Sequence, residues 1–229
     1  MKKEFYDKPI YTITNYFTNF VASSIYLAVC NILLILFFVL TAMSPDKFNI
    51  FFLFIALIPL GPSLGALYST ISKLLREKDI YFSSYFWNTY KKNFVSFLKL
   101  WMVELIILTI LFIDFQYFYL HMSQTGIYVV FVVLMVITLL IGLYAFPIAS
   151  RFEVKLKDVF ILSIYYAIKK FPITILKAIV IFLIYYLSKN LSILFLIFMP
   201  SIICSIFYFY DRNLLKELED RFVASDNNI

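Results

Sequence analysis

One carboxylate stands alone in an apolar stretch. Glu104 lies within FLKLWMVELIILTILFI, ten residues into a run that begins at Phe94. If that run is a bilayer-crossing helix, a rise of about 1.5 Å per residue puts the carboxyl about 15 Å deep. That is near the middle of a hydrocarbon layer about 30 Å thick. An ionisable group at that depth is costly, and its default reading is functional: a proton site or a contact for a cationic solute. The competing reading is an interhelical hydrogen bond that fixes packing. A lone acid makes a poor pathway, which favours the packing reading. Lys99 is five residues away, about 140° around a helix, and does not neutralise it. Asn31, at similar depth in another apolar run, is its candidate partner.

Two other patterns bear on chemistry. Gly61-Pro62-Ser63-Leu64-Gly65 puts Gly61 and Gly65 at the small-xxx-small spacing that lets helices approach closely. Pro59 and Pro62 predict a break or kink there, and a broken helix can line a binding site. A packing kink is the plainer reading. The six lysines Lys91, Lys92, Lys99, Lys169, Lys170 and Lys177 stand at the beginnings of apolar runs. They read as inner-interface groups, with Lys99 and Lys177 snorkelling to the headgroups from slightly deeper positions. Cys30 and Cys204 lie in apolar runs as small hydrophobes, and His121 has no neighbouring ligand type, so neither a disulfide nor a metal site is expected. No hydrolase, zinc-protease, phosphate-loop or dinucleotide fingerprint occurs, so the expectation is a protein without catalytic residues or cofactor.

The elements that carry these residues follow from composition. Hydrophobic residues make up 63% of the 229 residues and charged residues only 15%. A soluble domain is about 45–50% apolar. The fold class expected is all-α: a polytopic membrane protein with about six transmembrane helices, over 21–43, 50–74, 94–117, 127–146, 172–188 and 191–210. The last two are short enough that a re-entrant pair is the alternative. Residues 1–215 then form one membrane domain and 216–229 a cytoplasmic tail. The net charge of +6 is not a nucleic-acid signature, because the cations flank apolar runs. Connections alternate between rich and poor in Lys and Arg, which predicts both termini on the cytoplasmic side.

A repeat reinforces this plan. YKKNFVSFLKLW from Tyr90 and IKKFPITILKAI from Ile168 align at an offset of 78 residues. Lys91, Lys92, Ser96 and Lys99 match Lys169, Lys170, Thr174 and Lys177, and Lys78-Asp79 matches Lys157-Asp158 with one gap. Each copy predicts a hairpin preceded by an aromatic amphipathic helix lying in the inner interface. In the first, Phe82, Tyr85, Phe86 and Tyr90 share one helical face. Residues 6–20 form a weaker third copy.

The segments PLGPSLGALYSTISKLL (Pro59–Leu75), FWNTYKKNFVSFLKLW (Phe86–Trp101) and FPIASRFEVKLKDVF (Phe146–Phe160) resemble the YesL-like family of small bacterial membrane proteins. The likeness spans roughly residues 6–215. The chain departs from the family's glycine- and threonine-rich second helix in carrying Gly-Pro-Ser-Leu-Gly. Members of that family accompany ATP-binding-cassette carbohydrate importers, so the resemblance implies a non-catalytic accessory subunit in a bacterial cell membrane. Its partners would be the lipid bilayer and sugar permease subunits. The alternative is a small-solute transporter or substrate-binding membrane subunit with Glu104 as its polar site.

Overall fold

The computed structural model describes residues 9–44, 48–77, 80–188 and 193–226. Among them the chain forms nine α-helices: α1 (Pro9–Cys30), α2 (Ile32–Met43), α3 (Ile50–Leu57), α4 (Leu60–Glu77), α5 (Phe82–His121), α6 (Tyr128–Arg151), α7 (Leu156–Lys169), α8 (Phe171–Ser188) and α9 (Ile193–Asp226). A short 3-10 turn, Ser123–Thr125, and Gly126 at φ 69° join α5 to α6. The positive φ is one that glycine adopts without strain. No strand occurs among the described residues. The protein is an all-α polytopic membrane protein.

Its exterior is unlike that of a soluble bundle. The most enclosed helix, α4, buries Gly61, Pro62, Ser63, Gly65, Ser69 and Thr70 together with its Leu and Ile residues. Large apolar side chains on α2, α5, α6 and α8, such as Leu40, Ile110, Val133 and Phe182, point outward. Hydrocarbon is as apolar as leucine, so small residues let helices approach closely while many bulky apolar side chains can face lipid. Among the described residues three helices are long and apolar enough to cross a membrane: Ile50–Glu77, Phe82–His121 and Tyr128–Arg151. Thr14–Cys30 with Ile32–Met43 makes a fourth if that bent pair counts as one span. The fifth expected span is the shorter apolar helix Phe171–Leu187. The sixth falls at the start of α9, whose first side chains lie outside the described residues, as do Lys78-Asp79, the turn at Lys189-Asn190 and the residues before Pro9.

Three details depart from expectation. The first span is not one straight helix: it bends by 72° at Asn31. There the side-chain Nδ2 donates to the Leu27 carbonyl at 2.8 Å, the local side-chain-to-backbone competition typical of asparagine. The break at Pro59 is present but mild, and α3 and α4 remain one 28-residue span, with Pro62 accommodated in the first turn of α4. The interfacial helix of the first repeat is not separate. Residues 82–93 are the opening turns of the 40-residue α5, which is about 60 Å long. Phe82 and Phe86 are buried in a cluster with α4, and the Phe86 ring lies 5.3 Å from that of Tyr26 in α1. The second copy does break: α7 stops and α8 starts around Lys170. The reason is one substitution in the repeat, because Pro172 stands where the first copy has Phe94. At the other end of the chain α9 runs on through residue 215 to Asp226, with Leu214, Leu215 and Leu218 buried beside α6 and α7.

Candidate functional site

Phe97, Trp101 and Glu104 follow each other at helical spacings of four and three, so they share one face of α5. That face lies on glycines. A Cβ at Gly61 would overlap Trp101, and one at Gly65 would come within 2.5–2.6 Å of the Phe97 ring. The Trp101 indole N–H donates to the Leu57 carbonyl at 2.8 Å, where the α3–α4 break leaves it accessible. This explains Pro59, Gly61, Pro62 and Gly65 together: the prolines loosen the backbone and the glycines admit the α5 rings.

Glu104 is 3% exposed and is packed against Gly142 of α6, where a Cβ would stand 2.6 Å from both carboxylate oxygens. Its Oε1 has no hydrogen-bond partner among the described residues. The expected partnership with Asn31 does not form. Asn31 is buried, but its Nδ2 donates to Ser63 Oγ at 2.8 Å, and Ser63 in turn donates to the Leu60 carbonyl at 2.9 Å. Asn31 therefore ties the first bent span to the α4 break. Elsewhere the Ser23 and Ser201 hydroxyls share a hydrogen bond that joins α1 to α9.

The strongest polar centre was not foreseen. Lys177 does not snorkel: its side chain is fully buried, with Nζ 2.7 Å from Asp211 Oδ1. The same ammonium donates to the Leu143 carbonyl at 3.1 Å and sits 3.7 Å from the centroid of the Tyr144 ring. Tyr68 donates to Asp211 Oδ2 at 3.1 Å. Tyr144 and Thr174 hydroxyls lie 2.8 Å apart, and Thr174 also donates to the Ala167 carbonyl in the last turn of α7. Helices α4, α6, α8 and α9 thus meet on one ion pair. Lys177 stands two turns into α8, too enclosed for its stem to reach the surface. Its repeat counterpart, Lys99, is exposed. The missed signal was in the last apolar run. Phe207, Asp211, Leu214, Leu215 and Leu218 recur at spacings of three and four, a buried stripe that includes an acid.

The remaining lysines of the two repeats divide. Lys91 and Lys92 are exposed, and Lys92 makes only an open pair with Glu153 at 3.4 Å. Lys169 and Lys170 are not free for headgroups: both bind Glu217 of α9, at 2.6 and 3.6 Å. Arg221 reaches the same carboxylate at 3.1 Å. The hydrogen bond from Lys169 holds the Glu217 carboxyl below the ordinary glutamate range, and the reciprocal bond raises Lys169. A depressed carboxyl stabilises the fold above its unfolded value, about pH 4.3, and that contribution is lost as pH falls through the folded value. The Lys169 contribution is present throughout acid and disappears only in strong alkali. Acidification below about pH 4.3 is therefore expected to loosen residues 214–226 from α7. Amide exchange should accelerate there before it does in α4, and Glu217→Gln should remove that pH dependence.

Residues 27–115 match the model of a family described as a protein of unknown function, DUF624. The matched stretch contains Asn31, Ser63, the two α4 glycines, Trp101 and Glu104, and so covers the bend and the α4–α5 contact. It ends before Lys177 and Asp211. No curated protein and no solved structure matches the chain. Among the described residues no group of three His, Cys, Asp or Glu side chains could hold a metal ion.

Proposed function

We propose that the protein is a non-catalytic accessory membrane subunit of an ATP-binding-cassette-type carbohydrate uptake system in a bacterial cell membrane, with both termini cytoplasmic. The observation that carries this reading is how the polar groups of the bundle are used. Lys177, Asp211, Tyr68, Tyr144, Asn31 and Ser63 are turned on one another across helices. Cavities along the apolar helices are lined almost wholly by side chains such as Leu140, Ile175 and Phe182, or Leu53, Leu108 and Met135. A solute path needs polar groups facing a cavity; here they hold helices together. The resemblance of residues 59–75, 86–101 and 146–160 to the YesL-like family supplies the carbohydrate-uptake context, and the first two lie inside the matched stretch.

A second reading, a small-solute transporter or substrate-binding subunit, draws on the unpartnered Oε1 of Glu104. Affinity purification from native membranes in mild detergent, with mass spectrometry, separates the two. Stoichiometric permease or ATPase subunits are the expected result, and a protein recovered alone would sink the accessory reading. Glu104→Gln is expected to leave both co-purification and solute uptake unchanged. Loss of uptake with an intact, well-folded variant would move the assignment to the transporter.

A further inference from the structure

At the end of the bundle that the Lys and Arg distribution places in the cytoplasm, α4, α6 and α9 enclose a cavity of about 320 Å³. It is lined by Arg76, Arg151, Tyr208, Arg212, Asn213 and Lys216. A smaller cavity of about 130 Å³ shares Arg76 and Arg151 and adds Ser72, Lys73 and Ser150. The larger one is within the size range of small-ligand sites, about 300–1,000 Å³. We infer that this is a binding site for a phosphate-bearing group.

Charge and geometry carry the assignment. Five cations converge from three helices, whereas the carboxylates beside them are Glu77 and Glu219. Glu77 takes Arg76 at 3.0 Å and Lys73 at 3.7 Å, and Glu219 takes Arg151. Neither acid lines either cavity. A guanidinium has five N–H donors, so one carboxylate leaves each arginine with donors to spare. Arg212 lies 4.7 Å from the Phe209 ring, which orients it without neutralising it. Planar guanidinium forks match phosphate oxygens two at a time, and the Asn213 amide lines the same cavity as a further donor. A general excess of inner-face lysine would give exposed cations such as Lys91 and Lys92. It would not give arginines from distant parts of the chain around one enclosed volume. Two sources present this chemistry at a membrane surface: the headgroup of an anionic phospholipid and a soluble phosphate compound.

The test uses the full-length protein in detergent and in lipid nanodiscs. Binding of phosphatidylglycerol is compared with phosphatidylcholine by native mass spectrometry. Inorganic phosphate is compared with chloride, at equal ionic strength, by the shift in unfolding temperature. Arg212→Gln with Lys216→Gln is expected to weaken binding about tenfold or more, as removal of charge-assisted contacts does. Lys91→Gln with Lys92→Gln, which removes the same charge outside the cavity, should change it less than about twofold, as expected where distant exposed charges are screened. Arg76→Lys keeps the charge but loses the fork, and should fall between them. Selective phosphatidylglycerol binding with no phosphate effect assigns a lipid headgroup; a phosphate shift that competes with the lipid assigns a soluble ligand. Equal losses in the two double variants, or no binding of either probe to the wild type, would overturn the proposal.

Discussion

Asp211→Ala is expected to destabilise the protein by about 3–5 kcal/mol, the usual consequence of removing one partner from a buried ion pair. The Lys177 ammonium would keep only the Leu143 carbonyl and the face of Tyr144, with no path to water. Tyr68 would lose its acceptor at the same time. The pair is not thereby worth 3–5 kcal/mol in itself, because most of that loss is the stranded charge. A triple variant makes the distinction. Lys177→Met, Asp211→Leu and Tyr68→Phe together replace the centre with apolar side chains of similar size. They are expected to recover most of the lost stability, to within about 1–2 kcal/mol of wild type. Unfolding in mixed detergent micelles reads all of these. If Asp211→Ala cost no more than about 1 kcal/mol, the value expected for an exposed pair such as Lys92–Glu153, the centre would not be closed as described.

That centre also shows where sequence reading stops. The apolar runs, their approximate ends, the helical class and the α4 break were legible because each rests on local signals: hydropathy, prolines and glycines. Glu104 was legible as a buried acid because its neighbours on both sides are apolar. Its contact with Gly142 was not, since it depends on how α5 and α6 are rotated. Lys177 and Asp211 are 34 positions apart in the chain, and each lies where a snorkelling or membrane-edge residue would also lie. Only their packing makes them partners. The repeat misled in a specific way. Ser96 and Lys99 match Thr174 and Lys177 in type, yet the first two are exposed and the second two are buried. Pro172 ends the likeness by separating α7 from α8, so equal letters occupy unequal environments. The same limit hid the basic cavity. Arg76, Arg151 and Arg212 each satisfy the positive-inside pattern individually, and nothing local to any one of them announces the other two.

The α4–α5 contact offers a sharper test than single substitutions, because its two glycines meet different kinds of atom. Gly61→Ala and Gly65→Ala both overfill the interface, and each is expected to cost about 1–3 kcal/mol or more. At Gly65 the obstructing atoms belong to the ring of Phe97, 2.5–2.6 Å from the new Cβ. Removing that ring removes the clash, so Gly65→Ala with Phe97→Ala should be no less stable than Phe97→Ala alone. The alanine methyl would occupy part of the cavity the ring leaves. At Gly61 the new methyl meets the Cβ of Trp101 itself, which alanine retains. Gly61→Ala with Trp101→Ala should therefore keep the clash and add the loss of the indole and its hydrogen bond to Leu57. The two double-mutant cycles are expected to differ in sign: a favourable coupling at 65–97, and none or an unfavourable one at 61–101. Helix movement that relaxed both sites equally would give the same coupling in each cycle. That result would mean α5 rides on α4 as a sliding surface, with neither aromatic side chain locked against its glycine.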